Sequence, residues 1–259
     1  MKRLIRVELL KLSTIRTTYG LALAGAAITA LFASLEASGA GHRVAKISTA
    51  AGQSMVSTAT GVAMVLAAVL GVIAASGEYR HTTATLTYLA TPNRDRVLTA
   101  KSIATAIVGF GYGILAGLVA TATALVFVAK HQDHVALGAG TLAVHILGAG
   151  LGAALLAALG AAIGSLIRAQ VAGIVGVLVW CMVLESILGG GITVIRPYLP
   201  YTAASTLGGA KLGAAAFGPG YSVSGQAALP FIAAAALIAA IAALFAVIAA
   251  RTTVRHDIT

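Results

Sequence analysis

The chain has 259 residues, 59% of them apolar and only 9% charged, with a mean hydropathy of +0.98. A soluble domain carries roughly 25% charged residues and needs them to stay dispersed, so this composition excludes a water-soluble globule and a disordered chain and points to an integral membrane protein. Cys181 is the single cysteine, which excludes an internal disulfide framework; the net charge of +10 is spread along the chain rather than gathered in one soluble segment, which argues against nucleic-acid binding.

Met1–Ile15 is too charged to span a bilayer. At about 100° per residue, Leu4, Ile5, Leu9, Leu12 and Ile15 share one arc, with Lys2, Arg3, Arg6, Ser13 and Thr14 roughly opposite. This spacing predicts an amphipathic helix lying along the inner membrane surface. Glu8 falls inside the apolar arc, so it is expected to have a specific partner, a basic residue of Gly77–Lys101. The basic start resembles a secretory leader, but the n-region is long and contains Glu8, and five more spans follow.

Six stretches reach the length of about 20 apolar residues needed to cross about 30 Å of hydrocarbon. They are Thr18–Leu35, Met55–Ser76, Ser102–Ala129, Val135–Gly164, Val171–Leu188 and Leu229–Ala250. The fold expected is all-α: a polytopic bundle of six transmembrane helices over 18–259, preceded by the interfacial helix at 1–17. Twelve of the 17 Lys and Arg fall in the N-terminus, Gly77–Lys101, Ser165–Gln170 and the C-terminal tail, against five in the alternate loops. The richer set belongs on the cytoplasmic side, so both termini are expected inside.

Small residues recur within the spans. The pairs Gly109/Gly113, Gly113/Gly117, Gly148/Gly152 and Gly160/Gly164 each put two glycines on one helix face, where a second backbone can approach. Packing within one subunit is the favoured use; a seam between subunits is the alternative.

Candidate chemistry is sparse. There is no Gly-x-x-x-x-Gly-Lys-Ser/Thr phosphate loop, and no Lys follows a Gly. The chain is therefore not expected to be an enzyme or to hold a cofactor. His131, Asp133 and His134 share a short turn that could approach a metal ion, but a solvated loop explains them better. Two ionisable residues lie in the spans, His145 in the fourth and Glu185 in the fifth. An ionised carboxylate in the bilayer costs at least ~2.5 kcal/mol, so Glu185 needs a partner, with backbone N–H groups near the outer edge the simplest candidates. His145 is either a functional group or one satisfied by a backbone carbonyl.

The segment Gly77–Lys101 reads as a short helix over Thr82–Ala90, ended by Thr91 before Pro92, then an exposed turn at Arg94, Asp95 and Arg96. A charged helix between two spans makes a good docking element, although spacing alone leaves a solvated loop equally open.

Three features resemble the ABC-2 type permeases, the membrane subunits of ATP-driven bacterial exporters. Val7-Glu8-Leu9-Leu10-Lys11-Leu12 with Arg16-Thr17 is similar to the family's connecting helix. Gly77-Glu78-Tyr79-Arg80-His81, then Thr83, Leu89-Ala90-Thr91-Pro92, Arg94 and Ala100-Lys101, resembles its loop between spans two and three. Trp180, Glu185, Pro197-Tyr198-Leu199-Pro200 and Leu207 resemble the end of its fifth span and the outer segment beyond.

The resemblance implies a bacterial plasma-membrane protein built as a homo- or heterodimer of permease subunits. It further implies two copies of a separate ATPase subunit, which bind and hydrolyse the ATP. It makes Glu78, Tyr79, Arg80, Thr83 and Arg94 coupling contacts to the ATPase, and Glu8 and Lys11 residues of the connecting helix. It implies that Gly189–Ala228 dips back into the membrane as short re-entrant helices. An ion-coupled secondary transporter is the alternative; it would rely on His145 or Glu185 near the midplane. A membrane-embedded enzyme would need two convergent reactive side chains that the spans do not offer.

Overall fold

The computed structural model describes residues 1–38, 56–80, 93–131, 135–210 and 229–252, with the side chains of Arg94 and Thr193 left out. All regular structure among these residues is helical. In chain order the helices are α1 (Lys2–Thr14), α2 (Arg16–Ala37), α3 (Gly61–Arg80, entered through a 3₁₀ turn at Ser57–Thr60), α4 (Arg94–Lys130) and α5 (Ala139–Ile167). They continue with α6 (Gln170–Val179), α7 (Glu185–Gly191), α8 (Pro200–Leu207) and α9 (Phe231–Arg251). A π turn at Trp180–Leu184 joins α6 to α7, making one continuous span.

Six of these stretches are long and apolar enough to cross a membrane: Arg16–Ala37, Ser57–Arg80, Asp95–Lys130, Ala139–Ile167, Gln170–Gly191 and Phe231–Arg251. The chain is thus an all-α polytopic bundle. Its outer surface is apolar where a soluble protein would be polar: Leu23, Val171, Ile187 and Ile232 are 69%, 70%, 63% and 82% exposed. Those side chains have hydrocarbon, not water, as their natural solvent.

α5 lies at the centre. It packs along α3 and α4 on one side and along α9 and α8 on the other. α2 leans on α3 and α4, and α6 rests mainly on α3. The glycine pairs explain how closely the central helices approach. A Cβ at Gly113 would run into the carbonyl of Ala149, one at Gly160 into that of Ala68, and one at Gly164 would come within 2.7 Å of the Val72 oxygen. At Gly152 it would come within 2.7 Å of the Ala204 oxygen of α8, and at Gly117 within 3.0 Å of Ile146 Cα. All four pairs are therefore used inside this chain, since only residues without a side chain let backbones meet so closely.

Two differences from the sequence reading have clear causes. Arg94, Asp95 and Arg96 are not an exposed turn; they form the first turn of α4. The Asn93 side chain accepts the N–H of Arg96 at 3.2 Å and caps the helix, and Asp95 sits where the helix dipole favours an acid. The third span is thus longer than Ser102–Ala129, at 37 residues and about 55 Å. The fourth begins at Ala139 rather than Val135, because Val135–Gly138 is non-helical and Gly138 is the extended N-cap. The expected helix at Thr82–Ala90 lies outside the described residues, as do Asp133, His134 and the part of Gly189–Ala228 beyond Ala210. The described part of that last segment does turn back: α8 is buried against α3, α5 and α9.

Candidate functional site

One end of the bundle carries α1, the end of α3 and the start of α4, and will be called the α1 end. α1 packs against α4. Its three-residue spacing puts Glu8 and Lys11 on one face, where Lys11 Nζ donates to Glu8 Oε1 at 2.7 Å. The same ammonium donates to Glu78 Oε1 of α3 at 2.9 Å. Across the gap, Lys101 of α4 donates to Glu8 Oε2 at 2.9 Å and lies 2.9 Å from Glu78 Oε1. Four alternating charges thus close into a ring, Glu8–Lys11–Glu78–Lys101, that joins three helices.

Burial makes the ring consequential. The side chain of Lys101 is 6% exposed, against 41% for Lys11. A buried ammonium is tolerable only if it is paired and hydrogen-bonded. Lys101 meets that condition: its three donors face Glu8, Glu78 and the Ala74 carbonyl at 3.2 Å. For Lys11, burial acts to lower the pKa, but hydrogen bonds and charge from Glu8 and Glu78 outweigh it and hold the ammonium above its ordinary value. The ring borders an open cavity of about 710 Å³ shared by α1, α3, α4 and Gln170.

Tyr79 and Arg80 face a different neighbour, the corner between α5 and α6. The Arg168 guanidinium lies over the Tyr79 ring at 5.3 Å, and Arg80 Nη1 donates to Gln170 Oε1 at 3.1 Å. Arg168 ends α5 with φ of +58°, a conformation more natural to glycine. Of the other expected contacts, Thr83 and the Arg94 side chain lie outside the described residues.

The far end holds His145 and Glu185, and they bracket α8. Glu185 is 3% exposed and accepts four hydrogen bonds. Trp180 Nε1 donates at 2.9 Å, Tyr201 N at 2.8 Å, Thr202 N at 2.9 Å and Thr202 Oγ1 at 3.1 Å. Pro200 opens α8 without an N–H, and the next two N–H groups go to Glu185. The carboxylate therefore caps a helix from another part of the chain, where the helix dipole also favours it. These are backbone N–H groups, as the sequence suggested, but they come from 16 and 17 residues further on rather than from the adjacent glycines.

The π turn makes this possible. On a regular α-helix Trp180 and Glu185 would point about 140° apart; here the N–H of Glu185 donates to the Trp180 carbonyl, and both side chains reach one side. Beyond the other end of α8, His145 Nδ1 shares a hydrogen bond with Ser57 Oγ at 3.1 Å. The imidazole also lies against Gly209, whose φ of +87° and lack of Cβ make room for it. His131 is engaged in its own helix end, donating from Nδ1 to the Phe127 carbonyl at 2.8 Å. No group of three or more metal-binding side chains occurs among the described residues.

Compared with known proteins, the chain matches no family model and no curated protein sequence. What its architecture establishes is the coarser class. The chain is a polytopic helical membrane protein. Its described residues hold six helices of membrane-spanning length and no group of three metal-binding side chains, consistent with membrane transport in general.

Sequence reasoning singled out Glu8, Lys11 and Glu78 but left out Lys101 as a site residue. The usable signal was Glu8, whose place on an apolar arc called for a basic partner in Gly77–Lys101, the segment that ends on Lys101. Arg168 and Gln170 carried no such signal, because their partners are 89 and 90 residues away in sequence.

Proposed function

We propose that the chain is the membrane subunit of an ABC-2 type exporter. It moves a substrate outward through a dimer of such subunits, driven by ATP hydrolysis on two separate ATPase subunits. The α1 end faces the cytoplasm, in keeping with the concentration of Lys and Arg there. The observation that carries this reading is the closed ring of Glu8, Lys11, Glu78 and Lys101. It fastens the amphipathic helix to the two spans from which the segment 81–92 emerges. A force applied to that segment would reach α1, α3 and α4 together, as an ATP-driven stroke requires. Arg80 and Tyr79 extend the connection to the α5–α6 corner. An ion-coupled carrier gains less support, since the four donors around Glu185 leave its carboxylate little room to exchange a proton.

The test is purification of the tagged chain in mild detergent, with mass spectrometry of what accompanies it. An ATPase subunit bearing a phosphate loop should co-purify and be lost on Arg80→Ala, a change at an exposed residue that spares the ring. A chain that purifies alone at every salt concentration would overturn the reading.

A further inference from the structure

His145 sits where three elements meet. Its Nδ1 shares a hydrogen bond with Ser57 Oγ at 3.1 Å, in the turn that enters α3. That turn is braced from within, because Thr60 Oγ1 donates to the Ser57 carbonyl at 2.8 Å. On its other side the imidazole lies on the backbone just past α8. A Cβ at Gly209 would come within 2.5 Å of His145 Cδ2 and 2.6 Å of Nε2. The neighbouring Gly208 is as close to the α3 turn, since a Cβ there would come within 3.1 Å of Thr60 Oγ1. The end of α8 is therefore clasped between His145 and the Ser57–Thr60 turn, and His145 also ties that turn to α5.

The clasp has no provision for a charge. The Ser57–Thr60 turn carries no titratable side chain, and the charges of α3 and α9 all lie at the α1 end. α4 offers Lys130, exposed at its last residue, and Tyr112, whose hydroxyl donates to the Thr18 carbonyl. α8 has Tyr201, near its start rather than its end. Exposed Glu36 and His131 end other helices, and Arg196 lies against Gly189 of the fifth span. None of these is bonded to His145, whose one hydrogen bond is to Ser57. This sets it apart from the other ionisable groups inside the bundle. Lys101 has two carboxylates and Glu185 has four donors. Nε2 makes no hydrogen bond to the described residues and is not sealed from solvent, so a proton can reach it. Once charged, both ring nitrogens are donors; Ser57 Oγ can accept one, while the other faces Gly209. A half-buried cation without a counter-ion is costly, and imidazole is the side chain that gains its charge between about pH 8 and about pH 5.

We propose that His145 is a pH-operated latch at the end of the bundle opposite α1. The neutral ring clasps the end of α8 and the turn into α3 against α5. Protonation drives the ring out of the clasp and frees the end of α8. The sign follows from linkage. An opened, solvated imidazole takes its proton near pH 6.5, whereas the clasped ring resists it. The opened fraction then rises as pH falls below that value, by up to about tenfold per pH unit. The latch does not depend on the exporter reading.

The amides of Gly209 and Ala210 report the latch, since they close the last turn of α8 on the Thr206 and Ser205 carbonyls at 3.1 Å. Hydrogen exchange at these amides is followed by mass spectrometry on the full chain in mild detergent. It is measured from about pH 8 to about pH 5, with labelling times scaled for the intrinsic pH dependence of exchange. Protection should be constant above about pH 7 and fall by up to about tenfold per unit below about pH 6.5. His145→Asn and His145→Gln place a neutral polar atom near the Nδ1 and Nε2 positions, and at least one of them should stay protected down to about pH 5. His131→Asn, at the end of α4, should keep the parent transition. A parent chain equally protected throughout would overturn the proposal. So would a transition that survives in either His145 variant. Loss of protection in both variants already at about pH 8 would also overturn it, because the shape of the ring rather than its charge would then hold the end of α8.

Discussion

Trp180 donates its indole N–H to the carboxylate of Glu185, five residues along the same span. That bond exists because the span loosens into a π turn between them. The same carboxylate holds the first two free N–H groups of α8. Removing it leaves four buried or half-buried donors without this acceptor, at about 1–3 kcal/mol for each that finds no other. Glu185→Leu should therefore destabilise the chain by about 3 kcal/mol or more. Thermal unfolding in detergent, followed through Trp180 fluorescence, checks this; an unchanged transition would contradict the capping role.

The charge ring gives a rank order. Lys101 is buried and Lys11 is partly exposed. Lys101→Met removes the buried cation and leaves Glu8 and Glu78 sharing the partly exposed Lys11, and should cost about 3 kcal/mol, while Lys11→Met should cost about 1 kcal/mol or less. Pairing Lys101→Met with Glu78→Gln should cost less than the sum of the single changes, because the residues share one network. Additive losses in unfolding experiments would mean that the ring does not act as a unit.

Lys11 also sets a pH window. Its pKa is raised above the ordinary 10.5 by Glu8 and Glu78, against the opposing effect of burial. A raised ammonium pKa stabilises the folded state fully below the unfolded value, and that contribution fades as pH rises through the folded one. The difference in melting temperature between the parent chain and Lys11→Met should be constant up to about pH 10 and shrink above it. A difference that grows with alkalinity would have the wrong sign.

Glycine substitutions should divide sharply. Gly160→Ala drives a methyl into the Ala68 carbonyl of α3, and Gly148→Ala into the Leu207 carbonyl of α8. Each should cost about 1–3 kcal/mol or more through overpacking. Gly20 and Gly111 face open space, so alanine there should be neutral or stabilising by about 0.5–1 kcal/mol. Comparable losses at all four positions would argue against the observed helix registers.

The spans were legible in the sequence because hydrocarbon thickness dictates a run length that composition alone displays. Glu8 was legible for a related reason: a carboxylate on an apolar arc demands a counter-ion, and Lys101 supplies it. The start of α4 was not, since Arg94, Asp95 and Arg96 look like a polar turn until Asn93 is seen to cap them. The π turn at Trp180–Leu184 left no trace in an apolar run whose residues suit any helix. The α8 cap by Glu185 depends on contacts across 16 and 17 residues, which helical periodicity does not encode.

The glycine contacts among α3, α4 and α5 have a mechanical consequence. Helices whose backbones touch have no side-chain cushion to compress, so these three can tilt as a block but cannot slide past each other. Shape change in this chain then falls to the elements held by side chains alone. α6, the part of the fifth span before its Glu185 anchor to α8, is one, and α9 is the other. A molecule wedged between those two would act as a doorstop, setting how far the bundle can close.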